Sequence, residues 1–311
     1  MNPSEIITKA IRENRNALTE AEAKVVLKHY RVPVVEEKIA NNINELNVFA
    51  QEMGFPVVLK GLGSRLTHKT ERGLVKLNLK TPDDLQAAAI YIKDAAGDDL
   101  EGFLLQPMLK GKREFVAGLF FDAQFGPVIM FGLGGVFTEA IGDVVFRLAP
   151  LDEEEATRML SEVHAKKLLS DFRGEKAPDT DALVRVLTGL SEIAMNIPEI
   201  REIDINPLLV SPDGRVTAVD ALIVLGERSL QKVTHVPVEP MAIARLFYPG
   251  SIAFVGASAD LSKWGQLMFT NVVAGHYAGK VYLVNPRGGE IAGRKVFKTV
   301  TEIPDPVDLA V

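Results

Sequence analysis

The sequence predicts an α+β fold over residues 1–226, then a linker over 227–240, then the opening of a doubly wound α/β fold over 241–311. Three observations predict it. Up to Leu225, short β-branched strands joined by turns are interleaved with amphipathic helices. From Gly226 to Pro240 the apolar periodicity disappears and two prolines, Pro237 and Pro240, occur. Beyond it, strand, glycine turn, helix and second strand follow one another in the order of a βαβ unit.

Taken in order, the pattern from Ser4 to about Tyr30 is helical. Thr19-Glu-Ala-Glu22 has the form of a capping box and opens a second helix that ends at the Arg31-Val-Pro33 break. Phe55 to Lys60 reads as a buried strand and Leu74 to Leu79 as its hairpin partner. Thr81-Pro-Asp-Asp-Leu is a capped helix start with proline at the first helical position. Phe103 to Gln106, Glu114 to Phe121 and Val128 to Phe131 add strands of a second sheet, the last two joined by the turn Phe125-Gly-Pro127. Leu151-Asp-Glu-Glu-Glu-Ala starts a helix with its acids in the first turn and Lys166-Lys167 near the other end, as the helix dipole favours. A further helix spans about Asp181 to Met195. Glu202 to Leu208 and Val216 to Asp220 form a hairpin across Ser211-Pro-Asp-Gly214.

In the last segment, Ser251 to Val255, Lys280 to Asn285 and Val307 to Val311 are strands, Gly256-Ala-Ser258 is a tight turn, and Lys263 to Ala274 is a helix. Two or three parallel strands without their covering helices leave sheet faces open, so the sequence reads as truncated.

With 47% hydrophobic residues in 311, the chain can bury sizeable cores. A net charge of −6 gives no basic footprint for nucleic acid or an anionic membrane surface. The absence of cysteine excludes disulfides, thiolate metal sites and cysteine nucleophiles, and agrees with a reducing compartment. Met-Asn-Pro-Ser-Glu lacks the features of a signal peptide, and the most apolar stretch, Phe125 to Phe137, is glycine-broken and too short for a membrane span. The expectation is a soluble, cytoplasmic protein.

Several residues are suited to phosphate and metal chemistry. Asn206 and Asp220, on adjacent strands, can meet as oxygen ligands for Mg²⁺, which keeps waters and shares its shell with substrate phosphates. The plainer reading makes Asp204 and Asp220 solvated strand-end acids. Lys60 ends an apolar strand beside Gly61-Leu-Gly63, where an ammonium meets flexible backbone able to approach an anion. His68 lies in a polar loop and is a candidate nucleophile or base. The glycines of Phe131-Gly-Leu-Gly-Gly135, with Gly134 and Gly135 last, permit close approach to phosphate, as glycine runs in ordinary loops also do. Glu114 is either a ligand for a hydroxyl or cation or an edge-strand charge. The last segment lacks Gly-x-Gly-x-x-Gly, having only Gly256-Ala-Ser258 and then Gly265, and its second strand ends in Asn285-Pro-Arg287 where NAD binding would favour an acid. That pattern disfavours NAD and leaves open a phosphorylated adenosine such as that of coenzyme A, with Ser258 at the helix N-terminus and Arg287 at the strand end as anion contacts. His29 and His164 read as lying within helices, His235 in the linker and His276 after a helix end, and none of the four receives a role.

Together, Phe55-Pro-Val-Val-Leu-Lys60, His68-Lys-Thr-Glu71, Phe125-Gly-Pro-Val, Gly132-Leu-Gly-Gly135 and Ile205-Asn-Pro-Leu-Leu with Asp220, followed by Val255-Gly-Ala-Ser258, Gly279 to Pro286 and Ile303-Pro-Asp-Pro-Val-Asp-Leu, resemble the nucleoside-diphosphate-forming acyl-CoA synthetases. This superfamily includes succinyl-CoA synthetase and ADP-forming acetyl-CoA synthetase. The resemblance implies an ATP-grasp domain over 1–226 and the N-terminal part of a Rossmann-like CoA-binding domain over 241–311. It also implies a reaction of carboxylate, CoA and ATP giving acyl-CoA, ADP and phosphate through acyl-phosphate and phosphohistidine. By resemblance Lys60, Glu114, Gly134 and Gly135 bind ATP, Asn206 and Asp220 hold Mg²⁺, His68 is a second phosphoryl acceptor, and Gly256, Ser258 and Arg287 contact coenzyme A. The implied partners are a small-molecule carboxylate, CoA and the remaining α-type ligase domains, in cis or in trans, in an oligomeric assembly. A nucleotide- and CoA-binding regulatory module, or a protein acyltransferase sharing these domains, is the alternative.

Overall fold

Side chains near the N-terminus settle where the first helices begin. Asn2 accepts from Ser4 N while Glu5 returns to the Asn2 amide, starting α1 (Pro3–Arg12). Thr19 and Glu22 close the same reciprocal box at α2 (Glu20–His29), as the sequence predicts. The computed structural model describes residues 2–64, 66, 69, 72–135, 142–230 and 238–311. These fall into two compact units, Met1–Lys232 and Val233–Val311.

The first unit holds two antiparallel sheets. The smaller has the order β1-β4-β2-β3, built from β1 (Lys38–Ala40), β2 (Val57–Leu62), β3 (Val75–Leu79) and β4 (Gly102–Pro107). Helices α3 (Ile43–Met53) and α4 (Pro82–Ala96) pack on it, burying Leu46, Leu59, Ile92 and Leu105 completely. Each such side chain contributes roughly 1.5–3 kcal/mol by leaving water. Thr81 caps α4 through Asp84, and Pro82 stands where a missing amide costs nothing.

The larger sheet runs β10-β8-β5-β6-β7, with β9 beside β8. Its strands are β5 (Arg113–Asp122), β6 (Gly126–Leu133), β7 (Val144–Leu148), β8 (Ile200–Val210), β9 (Val216–Ala218) and β10 (Ala221–Leu225). Under it lie α1, α2, α5 (Glu153–Glu162) and α6 (Thr180–Asn196), and Phe115 stacks on Phe131 at 5.4 Å in the core between them.

In the second unit, β11 (Ser251–Val255) pairs in parallel with β12 (Lys280–Val284) and β15 (Leu309–Ala310). Strand β14 (Arg294–Phe297) continues the parallel set beside β12, and β13 (Gly289–Ile291) closes that edge antiparallel. Helix α8 (Trp264–Ala274) puts Phe269 edge-on to Phe254, and α7 (Pro240–Phe247) opens the unit. No helix among the described residues is long and apolar enough to cross a membrane.

Some elements escape the sequence pattern. Strand β1 is three residues long, α3 buries only Leu46 and Ala50, and α7 buries none, so each leaves a thin apolar signature. Two expectations are corrected. Lys166 and Lys167 do not end α5, because Val163 is already extended and the lysines belong to a separate 3₁₀ turn, Lys166–Leu169. His164 likewise stands past that helix, its ring Nδ1 3.0 Å from Asp143.

Candidate functional site

Strand β8 pairs with β9 from Val210↔Val216 to Leu208↔Ala218, and with β10 from Ala221↔Ile205 onward. The break between β9 and β10 therefore lies opposite Asn206-Pro207, where the proline has no N–H to donate; Val219 N instead reaches Pro207 O at 3.1 Å. Asn206 and Asp220 face each other at this break and line the same two cavities. One, about 350 Å³, also takes in Thr19, Glu20, Gly61, Ser64, Lys69 and Asp204. The other, about 300 Å³, takes in Val58, Lys60, Gln106, Met108, Glu114 and Leu209, and so lies where the two sheets of the unit meet. Three hollows elsewhere on the unit are larger, at about 540, 600 and 640 Å³, yet none contains Lys60, Asn206 or Asp220.

Lys60 is 3% exposed, and its position is fixed by charge. Its Nζ lies 2.5 Å from Glu20 Oε1 and 3.3 Å from Asp220 Oδ2, and donates to Val219 O at 3.3 Å. Glu20, 5% exposed, also accepts from Lys24 Nζ at 2.8 Å and, through Oε2, from Lys69 Nζ. Lys24 continues to Glu37 at 2.6 Å and to Gln106 at 3.2 Å. Burial pushes the Lys60 ammonium towards its neutral form, but Glu20 and Asp220 outweigh it and hold it above the usual lysine range. Burial likewise opposes ionisation of Glu20, and the charges of Lys60, Lys24 and Lys69 overcome it and hold that carboxylate well below its ordinary range. Both groups are therefore charged at neutral pH.

Asp204 is held above the usual carboxylate range by burial and by the charges of Glu202 and Asp220. It lines the same cavity as Asp220 and Asn206, so that cavity gathers oxygen donors whose mutual repulsion a cation relieves. Among the described residues no cluster of three or more His, Cys, Asp or Glu can hold a metal alone. A carboxylate and an amide at a polar cavity fit a hard divalent cation that completes its shell with water and phosphate.

Glu114 lies on β5, between β8 and β6, so the edge-strand reading is overturned. Its side chain lines the smaller cavity. Gly134 donates its amide to Glu114 O at 2.7 Å, and a Cβ at Gly134 would stand 2.8 Å from the Glu114 carbonyl carbon. Gly135 has φ +75° and would bring a Cβ to 3.1 Å from Glu114 Oε2. Both glycines are thus required by the crossing over β5, whatever they do for phosphate. His68 lies outside the described residues; the next residue, Lys69, lines the larger of the two cavities.

In the second unit Gly256 has φ +87° and donates to Val284 O at 2.8 Å, which bends the chain off β11. Gly265 then packs on it, a Cβ there meeting Gly256 O at 2.8 Å. Ser258 is not at a helix N-terminus: α8 begins at Trp264, and Ser258 Oγ accepts from Asp260 N at 3.1 Å within the intervening loop. Local turns occupy the residues before the helix, Asp260 Oδ1 accepting from Ser262 N at 3.0 Å, and Asn285 Nδ2 ties the start of the loop to the end of β12 through Ala257 O at 2.8 Å. Arg287 is exposed beside it, its amide donating to Asn285 Oδ1 at 3.0 Å.

Glu20, Lys24, Lys69 and Gln106 are absent from the sequence-based candidates. Only Glu20 and Lys24 leave a trace, as an i,i+4 acid–base pair on the same face of α2 as the buried Ala23 and Leu27.

Residues 9–225 match the family described as an ATP-grasp domain, and residues 250–311 the one described as a CoA binding domain. The β subunit of ADP-forming acetate–CoA ligase I from Pyrococcus furiosus is 43% identical over 229 residues, covering 71% of this chain and 97% of that relative. ADP-forming acetate–CoA ligase II from Archaeoglobus fulgidus is 37% identical over 294 residues, covering 94% of this chain but only 42% of the relative. Among solved structures, acetyl-coenzyme A synthetase 1 of Ca. Korarchaeum cryptofilum, in complex with coenzyme A, Ca-AMPCP and HgCl⁺, superposes with a TM-score of 0.68 at 38% identity, over 72% of this chain and 100% of that one. Its complex with coenzyme A and Mg-AMPPCP, described with a phosphohistidine segment pointing towards the nucleotide binding site, gives 0.64 at 37% identity, with the same coverage.

Proposed function

This chain belongs to the ADP-forming CoA-ligase family with an ATP-grasp domain, and from that membership we propose that it takes part in joining a carboxylate to coenzyme A at the expense of ATP, releasing ADP and phosphate. The observation that carries the reading is the meeting of Lys60, Asp220 and Asn206 at two adjoining cavities.

We assign the nucleotide to the cavity where the two sheets meet. Val58, Met108 and Leu209 give it apolar walls for a purine, and Lys60 stands at its charged end. Phosphoryl transfer asks for positioning and charge neutralisation more than for covalent help from the protein. Lys60, charged before any ligand arrives, supplies a fixed positive charge for a transferring phosphoryl group. Asn206 and Asp220 would hold Mg²⁺, which when bound neutralises phosphate charge. Transfer to a histidine breaks the bond from the γ-phosphorus to the ADP oxygen and forms a phosphorus–nitrogen bond. His68 is the proposed relay in this chain, preceding Lys69 at the larger cavity. In the second unit, the Gly256 turn and Arg287 would receive the phosphorylated adenosine of coenzyme A.

Product analysis tests the reaction. The intact enzyme containing this chain, given acetate or another small carboxylate with CoA and Mg-ATP, should yield ADP and phosphate in step with acyl-CoA. Formation of AMP and pyrophosphate would contradict the reading. Intact-mass analysis after Mg-ATP should reveal an acid-labile, base-stable phosphoryl group that is lost in His68→Ala.

A further inference from the structure

We propose that Glu20 is a positioning residue for nucleotide phosphate, holding the Lys60 ammonium at the wall between the two cavities independently of Asp220. The inference rests on the nucleotide reading above.

The geometry separates two tasks that one carboxylate cannot perform together. Asp220 is the assigned cation ligand, and its side chain is 35% exposed. A cation bound there would take up the charge that faces Lys60 and leave a buried ammonium without compensation, which is costly. Glu20 removes that conflict. Its side chain is 1% exposed and lies nearer to Lys60, at 2.5 Å against 3.3 Å for Asp220. It sits in the first turn of α2, where free amides favour negative charge and the Thr19–Glu22 box fixes the backbone. Its oxygens gather ammonium groups from three places: Lys24 on α2, Lys60 on β2, and Lys69 between β2 and β3.

A purely structural role, that of neutralising Lys24, does not account for this arrangement. Lys24 already has Glu37 and Gln106 as partners. What Glu20 alone does is bring Lys60 and Lys69, one from each cavity, onto a single carboxylate. That arrangement presets two positive charges for a phosphate-bearing ligand before it arrives, so that little reorganisation remains on binding.

The test is calorimetric titration of the full chain with ADP and, separately, with adenosine, alongside thermal melting. Glu20→Gln should weaken ADP binding about tenfold, the size of one charge-assisted hydrogen bond, and leave adenosine binding within about twofold. In a Lys60→Met background the same substitution should cost clearly less than it does alone, because only its hold on Lys69 is then left to lose. Glu20→Asp, which keeps the charge, should recover part of the ADP affinity, and it decides the matter if Glu20→Gln does not melt cooperatively. Equal weakening of ADP and adenosine, or unchanged ADP affinity, would overturn the proposal. Failure of the unsubstituted chain to bind either ligand would instead overturn the nucleotide reading on which it rests.

Discussion

The two candidate binding regions are built from different materials. In the first unit, Lys60 and Glu20 are buried at 3% and 5% exposure and fixed by ion pairs between distant segments. In the second, Gly256 and Arg287 are exposed, and the fixed features are backbone ones: a positive φ and carbonyls that tie the turn to the sheet. The difference matches the work proposed for each. Transfer of a charged group needs compensating charge held in place beforehand. Holding a soluble cofactor needs mainly a shaped turn with amides and an accessible cation. Side-chain substitutions should therefore dominate in the first unit and backbone-altering ones in the second.

The largest expected effect comes from Asp220→Ala, which should lower ADP-forming turnover of the intact enzyme by more than about a hundredfold. Chelation of divalent cations from the unsubstituted enzyme should give a loss of similar size. Turnover unchanged by the substitution would remove Asp220 from the site and blur the contrast between the regions.

A β-branched side chain at Gly256 comes next. At φ +87° it costs roughly 1–3 kcal/mol of strain. Gly256→Val should weaken CoA binding and lower the melting temperature of the second unit while MgADP affinity stays at the unsubstituted value. Loss of MgADP affinity as well would show that the two regions are not separable in this way.

The smallest effect is acid sensitivity. Burial opposes ionisation of Glu22, but Arg15 and the Thr19 amide overcome it, and the carboxylate is held below its ordinary range, as Glu20 is. A depressed folded pKa gives stability that is complete above the unfolded value and lost as pH falls towards the folded one. Melting of the first unit should therefore drop as pH is lowered below about 4.3. Of the depressed carboxylates of the second unit, Asp260 is exposed and Asp305 half-exposed, so their contribution is screened and a shallower response is expected there. Equal responses in the two units would contradict the contrast in burial.

How much of this the sequence could tell follows the range of each interaction. The Thr19–Glu22 cap, the turn at Ser211 to Gly214 and the approach of Asn206 to Asp220 were legible because a few neighbouring residues determine them. Lys60 was legible as a strand-end cation, but its partner was not. Glu20 and Lys60 lie 40 residues apart, and an acid in a first helical turn looks the same whether it faces solvent or a core. For Glu114 the edge-strand alternative stays open in the sequence because strand order is set by pairing between distant segments. Ser258 was placed at a helix start because the length of a loop after a glycine turn leaves no periodic mark.

Calorimetric titration of MgADP into the unsubstituted chain and into Lys60→Met tests the central claim most directly. A single site whose affinity falls tenfold or more, about 1.4 kcal/mol, on loss of the ammonium is the predicted result. Equal affinities in the two proteins would contradict the assignment of the cavity beside Lys60 to nucleotide phosphate.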